Sequence, residues 1–188
     1  MSESDIKMTY PENFENKTGF DKIRTLLKEV CLSPLGKDLV DEMSFSKEHT
    51  LILDQINQTA EFVRILQEED EFPTDAYFDV RDSLRKIRVE GTFLDEREVF
   101  DLRRSMETIG RIVSFFNKKE EEDYYYLKQL AEGVFTFPEI IKLIDRILDK
   151  FGKVKDNASP LLAEIRMDMV STQSSISKNL QSILRQAQ

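Results

Sequence analysis

Six glycines and five prolines are all that interrupts the 188 residues of this chain. Between those breaks apolar side chains recur at three- and four-residue spacing, a period that lays a stripe along one face of an α-helix. Phe20, Ile23, Leu26, Leu27 and Val30 form one stripe, and Leu35, Leu39, Val40 and Met43 form the next. Ser33 is placed to cap that second helix, and Pro34 to occupy its first turn, where a missing N–H is tolerated. Gly36 lowers helix propensity there by about 1 kcal/mol relative to alanine, which a close approach of a neighbouring backbone would explain.

A third helix, capped by Ser46, is expected from Glu48 to Glu68, with Leu51, Ile52, Ile56, Ala60, Val63, Ile65 and Leu66 as its apolar positions. It frays into Glu68–Glu71, because carboxylates at a helix C-terminus oppose its dipole. A short basic helix, Val80–Val89, starts at Asp79 or Asp82 and is broken by Glu90-Gly91-Thr92. From Leu94 to about Asn117 a long helix carries Val99, Leu102, Met106, Ile109, Val113 and Phe116 on one face. After a turn at Lys118–Asp123, one helix runs from Tyr124 to Ala131. Another begins at Phe137-Pro138 with Ile140, Ile141, Ile144, Ile147 and Leu148 facing inward. Phe151-Gly152-Lys153-Val154-Lys155 alternates with a period of two, so a strand or hairpin belongs there alone. The expected fold is all-α, a multi-helix core with one long protruding C-terminal helix and at most one short hairpin. Residues 1–13 read as a flexible lead-in, 14–158 as the core domain and 159–188 as the protruding helix.

That last helix, opened by Ser159-Pro160, differs from the others. Apolar residues line a seam at Leu162, Ile165, Met169, Ile176, Leu180 and Ile183, with Thr172 filling the gap. Core helices show a wider stripe, so a narrow seam flanked by Ser, Thr, Asn and Gln calls for one partner helix, as in a coiled-coil arm. No glycine or proline stops it, and it reads as an arm cut before its partner returns. Its seam is therefore expected to drive concentration-dependent dimerisation. Six basic residues against three acidic ones give +3 from Lys150 to Gln188, so the first 149 residues carry -12 of the chain's net -9.

With 36 acidic residues against 27 basic ones, the chain as a whole repels phosphate, which excludes a basic nucleic-acid binder. No run approaches the ~18 apolar residues of a membrane helix, and Met1–Tyr10 lacks the apolar stretch of a secretory signal. Cys31, the single cysteine, can form no internal disulfide and points to a reducing cytoplasm. Neither GxxxxGK[ST] nor GxGxxG occurs, so no phosphate-cradling loop is present. His49, the sole histidine, excludes a two-histidine mechanism and reads as solvated, while Cys31 reads as a small buried hydrophobe. The runs Glu68–Glu71 and Glu120–Asp123 lack the pattern of a calcium loop and read as solvated turns. Arg81, Arg85, Lys86 and Arg88 are expected to pair with those acidic runs. Of Tyr124, Tyr125 and Tyr126, one or two should anchor the core and another lie exposed. No catalytic, cofactor-binding or metal-ligating residue emerges, and the seam is the one candidate site.

Gly19-Phe20-Asp21-Lys22-Ile23, Ser33-Pro34-Leu35-Gly36-Lys37, Gln58-Thr59-Ala60-Glu61, Asp79-Val80-Arg81-Asp82-Ser83-Leu84 and the stretch Gly152 to Leu162 (GKVKDNASPLL) occur in one order and spacing. Together they resemble the N-terminal region of bacterial MutS-like proteins of the second subfamily, within the DNA mismatch repair MutS family. The resemblance covers about Phe14 to Gln188. It implies a helical core leading into a lever helix, which extends to a clamp and returns before an ATPase domain. It implies a dimeric DNA-binding ATPase that uses ATP and Mg and acts on branched or recombination-intermediate DNA. Many members carry a small endonuclease domain, and some act on stalled ribosomes. The clamp, returning helix, Walker motifs and nuclease domain are not among these 188 residues. The expectation is therefore a non-catalytic lever base, with DNA reached through the clamp, the ribosome as a further partner and no membrane contact. A homodimer would form through the ATPase domain or the lever helix. The competing expectation is a stand-alone helical adaptor that oligomerises through its C-terminal coiled-coil helix.

Overall fold

The structure, a computed structural model, describes residues 13–186, so the expected lead-in lies almost entirely outside the described residues. The first helix, α1 (Phe14–Thr18), is too short to show a stripe, and Gly19 at φ +76° separates it from α2 (Phe20–Val30). Helix α3 (Pro34–Glu42) packs on α2, and the Ser33 hydroxyl accepts from the Gly36 amide at 3.3 Å, as a cap should. A Cβ on Gly36 would meet the Cys31 side chain at 3.4 Å, an ordinary contact, so no backbone crowds that glycine. Cys31 itself is half-buried rather than buried, its thiol donating to the Leu27 carbonyl. Arg24 joins the three helices: its guanidinium donates to the carbonyls of Val40 and Met43 and to the Glu15 carboxylate. Those carbonyls sit at the end of α3, where partners within the helix run out and a cation is favoured.

Helix α4 (His49–Glu68) has Glu48 rather than Ser46 at its N-cap; the Ser46 hydroxyl instead accepts from the Glu48 amide. His49 is exposed, as expected. Beyond α4 the chain passes along α6 (Glu96–Asn117), where the buried hydroxyls of Ser105 and Thr108 donate to the carbonyls of Phe78 and Asp75. Between them, α5 spans only Arg81–Lys86. Three of its cations find other partners: Arg81 pairs with Asp79 and with Asp38 of α3, Arg85 with Asp82, and Lys86 with Glu98. Among the described residues the expected pairing of Arg81, Arg85, Lys86 and Arg88 with Glu68–Glu71 and Glu120–Asp123 does not form, because carboxylates on α3, beside α5 and at the start of α6 take Arg81, Arg85 and Lys86 instead. Helix α6 begins at Glu96 through a capping box, in which Asp95 and Glu98 each accept the other's amide at 2.8 Å.

Helix α7 (Tyr125–Ala131) closes an aromatic knot with α4 and α6. Ile65 is fully buried there among Phe72, Phe115, Phe116 and Tyr124. Phe72 meets Phe115 edge-on at 5.2 Å and Phe62 at 5.5 Å, and each such pair contributes about 0.5–1.5 kcal/mol beyond its buried area. Tyr124 adopts φ +56°, uncommon for a bulky residue, and its buried ring and bonded hydroxyl hold it there. That hydroxyl donates to the Glu69 carboxylate, which also takes the Lys119 ammonium. Glu69 is thus a half-buried structural group, whereas Glu68, Asp70 and Glu71 are solvated as expected. Tyr125 is exposed and Tyr126 half-buried. Glu61 on α4 accepts the Tyr126 and Leu127 amides, binding the open N-terminus of α7 to α4.

Helix α8 (Pro138–Ile147) packs on α6, with Arg103 donating to Asp145 at 2.8 Å. Ile144 and Leu148 are buried, while Ile140 and Ile147 remain exposed rather than facing inward. A hairpin follows, with a single antiparallel bridge between Leu148 and Val154. Helix α9 (Pro160–Gln186) then leaves the core. The regular structure among the described residues is therefore all α-helix apart from this one bridge.

Candidate functional site

The hairpin is the piece that aims α9. Asp149 holds its turn, the carboxylate accepting from the amides of Phe151 at 2.8 Å and Lys153 at 2.9 Å. Those amides, Lys153's foremost, hold the Asp149 carboxyl below the usual carboxylate range. Gly152 sits at φ +79°, and a Cβ there would lie 2.8 Å from Cγ of Phe100 on α6. Glycine alone lets the turn lie that close to α6. The Lys155 amide donates to the Ile147 carbonyl at 2.8 Å, and its ammonium to the Asp145 carbonyl.

From this base the rod is fastened at its first turns. The Ser159 hydroxyl accepts from the Leu162 amide at 3.1 Å, capping α9, which Ser159-Pro160 is expected to open. Arg166 reaches back to donate to the Val154 carbonyl at 3.4 Å and pairs with Asp156. Leu162, Ala163 and Arg166 are half-buried, and every residue from Met167 to Arg185 is exposed. At 1.5 Å per residue, about 28 Å of the helix stands clear of the core.

The six seam residues do share a face. At about 100° per residue, Leu162, Ile165, Met169, Ile176, Leu180 and Ile183 fall within an arc of about 60°. Leu162 is half-buried at the root, and the other five are exposed, Met169 at 65%. Among the described residues nothing covers them. The sequence reading missed the residues that fasten the rod: Asp149, Gly152 and Arg166. Period-two alternation marked the hairpin, but nothing in the local pattern marks Arg166 as a tether.

Elsewhere the described surface carries grooves, one of about 640 Å³ lined by Glu71, Glu107, Arg111 and Lys118 among apolar neighbours. An apolar groove of about 440 Å³ is lined by Leu84, Ile87, Leu102, Met106, Ile109 and Phe137, among others. No carboxylate, imidazole or thiol lines it, and the Ser105 hydroxyl at its edge is already bonded to the Phe78 carbonyl. Such a groove can bury an apolar surface and has no acid or base to offer a reaction. Among the described residues no three His, Cys, Asp or Glu side chains are grouped to hold a metal ion. Nor is any described helix long and apolar enough to cross a membrane.

No protein-family model matches the chain. It is similar, however, to bacterial proteins named Endonuclease MutS2. It is 29% identical to that of Geobacillus sp. (strain WCH70) over 88% of this chain and 21% of the relative. The figures are 28%, 88% and 21% for Ruminiclostridium cellulolyticum, and 27%, 88% and 21% for Pelotomaculum thermopropionicum. The chain therefore spans about a fifth of the length of the curated relatives it matches.

Proposed function

We propose that this chain, a sequence relative of MutS-family proteins, is a lever base: a helical anchor that holds the root of a rod and performs no chemistry. The observation that carries this reading is the contrast along α9, fastened by Ser159 and Arg166 at one end and bare from Met167 onward. A stiff helix moves as one body. A close-packed core, which does not deform continuously, turns a small displacement at its base into a larger one at the tip. In a longer MutS-type protein the displacement would come from a dimeric ATPase, and the tip would carry the surface that meets branched DNA or, in the ribosome-acting branch, a stalled ribosome. This reading puts ATP and Mg outside these residues, supported by the lack of a glycine-rich phosphate motif in the sequence and of three grouped His, Cys, Asp or Glu side chains among the described residues. No step of nucleotide or nuclease chemistry is assigned to them. A stand-alone adaptor is the second reading, favoured by the bare seam; there the seam's partner matters and the fixed angle of the root does not.

The angle is measurable. Spin labels at Asn117→Cys and Ser182→Cys, in a Cys31→Ser background at a concentration where the chain is monomeric, report the position of the rod against the end of α6. A lever base gives one narrow distance distribution, which Arg166→Ala broadens. A distribution already broad in the parent chain overturns the lever base.

A further inference from the structure

We propose that α6 sets the direction of α9, with Arg103 as the positioning residue through which it does so. This role rests on the lever-base reading and adds the element from which the rod takes its angle. Phe100, Arg103 and Glu107 fall three and four residues apart on α6, a spacing that stacks them along one side of a helix. Phe100 supports the turn of the hairpin, its ring lying where a Cβ on residue 152 would stand. Arg103, one turn further on, forks onto both oxygens of Asp145 on α8, Nε donating at 2.8 Å and Nη2 at 3.3 Å. Glu107 takes the remaining side of the same guanidinium, and the Arg103 side chain is only 20% exposed. A bidentate pair of this kind fixes orientation as well as distance.

Asp145 is the joint of the arrangement. Its carboxylate holds α6, while its backbone carbonyl, near the end of α8, accepts the Lys155 ammonium. At that end partners within the helix run out, which leaves the carbonyl open to a side chain of the hairpin. Next to Lys155, Val154 is bridged to the buried Leu148 and offers its carbonyl to Arg166 of α9. Among the described residues, the hydrogen bonds and ion pairs that lead from α9 back to the preceding chain end on Val154, Asp156 and Ser159. The root of the rod therefore hangs on the hairpin. The hairpin in turn is held to α6 at two places one turn apart: an apolar contact at Phe100 and, through α8, a charged fork at Arg103. One attachment leaves a hinge, and two fix a direction. The far end of α6 carries Phe115 and Phe116 in the aromatic cluster around Ile65, so α6 spans the core from that cluster to the hairpin. A displacement of α6 is delivered at the root of α9, where a tilt of about 10° moves the tip by about 5 Å over the ~28 Å that stand clear.

Spin-label distances on the whole chain with Cys31→Ser test it. Labels at Asn117→Cys and Ser182→Cys report the rod, and labels at Gln55→Cys and Asn117→Cys report α4 against α6 within the core. Arg103→Ala and Asp145→Ala should each broaden the rod distribution by about 5 Å, the travel of that tilt. The double variant should broaden it no further, because Arg103 acts through Asp145 and partners in one pair do not add. The core distribution should keep its width in all three variants, which a general loosening of the fold would not allow. A rod distribution that stays narrow in Arg103→Ala overturns the role of Arg103 and leaves the lever base standing. So does a double variant broader than either single one, or a core distribution that widens in step with the rod. A rod distribution already broad in the parent chain sinks both.

Discussion

The aromatic knot around Phe115 and the rod of α9 carry apolar residues at the same helical period, yet the two faces have opposite surroundings. In the knot Ile65 has no exposure at all: Phe115 and Phe116 of α6, Phe72 of the loop after α4 and Tyr124 at the N-cap of α7 close over it. On the rod Ile176 is 54% exposed and its neighbours are similar. The period that makes a helix amphipathic therefore selects a face and leaves open whether the same chain supplies its cover. In the knot the cover comes from residues far apart in sequence, as when Glu61 on α4 accepts amides of α7. Among the described residues the rod meets nothing beyond its first turns, and its apolar face stays exposed there.

The largest effect separating the two regions lies in their cores. Phe115→Ala should destabilise the chain by about 3–5 kcal/mol in chemical denaturation, whereas Ile176→Ala should change monomer stability by no more than about 0.5 kcal/mol. Equal costs would mean that α9 is packed after all. Next in size is the joint between the regions. Gly152→Ala combines a positive φ with a Cβ 2.8 Å from Phe100 and should cost more than about 1 kcal/mol. Its mark in hydrogen exchange should be local, with protection lost at the Lys155 amide and kept at the amides of the knot. Uniform loss would make the hairpin one cooperative unit with the knot rather than a separate fastening.

The smallest effect is electrostatic. Hydrogen bonds from Lys119, foremost, and from Tyr124 hold the Glu69 carboxyl below the usual carboxylate range. A carboxyl depressed in the folded chain stabilises it fully above its unfolded value of about 4.3. That contribution disappears as pH falls through the folded value. Acid titration of stability should accordingly fall less steeply below about pH 4.3 for Glu69→Gln than for the parent chain. Parallel curves would show that the pair adds nothing to the knot.

Much of this architecture could be read along the chain, where the cause was local. Ser33 and Ser159 mark helix starts because a hydroxyl one residue ahead of a helix meets amides within the same turn. Stripes long enough to repeat marked α2, α3, α4, α6, α8 and α9. The capping box Asp95-Glu96-Arg97-Glu98 is equally local and sets the start of α6 at Glu96, two residues past the expected Leu94. Helix α1 left no trace because five residues cannot show a period. Glu69 looked like one carboxylate in a solvated run, since its neighbours in sequence are solvated and its partners Lys119 and Tyr124 lie some fifty residues on.

Period, caps and breaks act within a few residues, so the amino-acid order alone made this chain helical and gave α9 a narrow apolar seam. Packing decided which stripes were covered, why position 152 must be glycine and how Arg166 fastens the rod. Those outcomes depend on contacts such as Gly152 with Phe100 and Arg166 with Val154, and a contact between distant positions exists only once the chain has closed on itself.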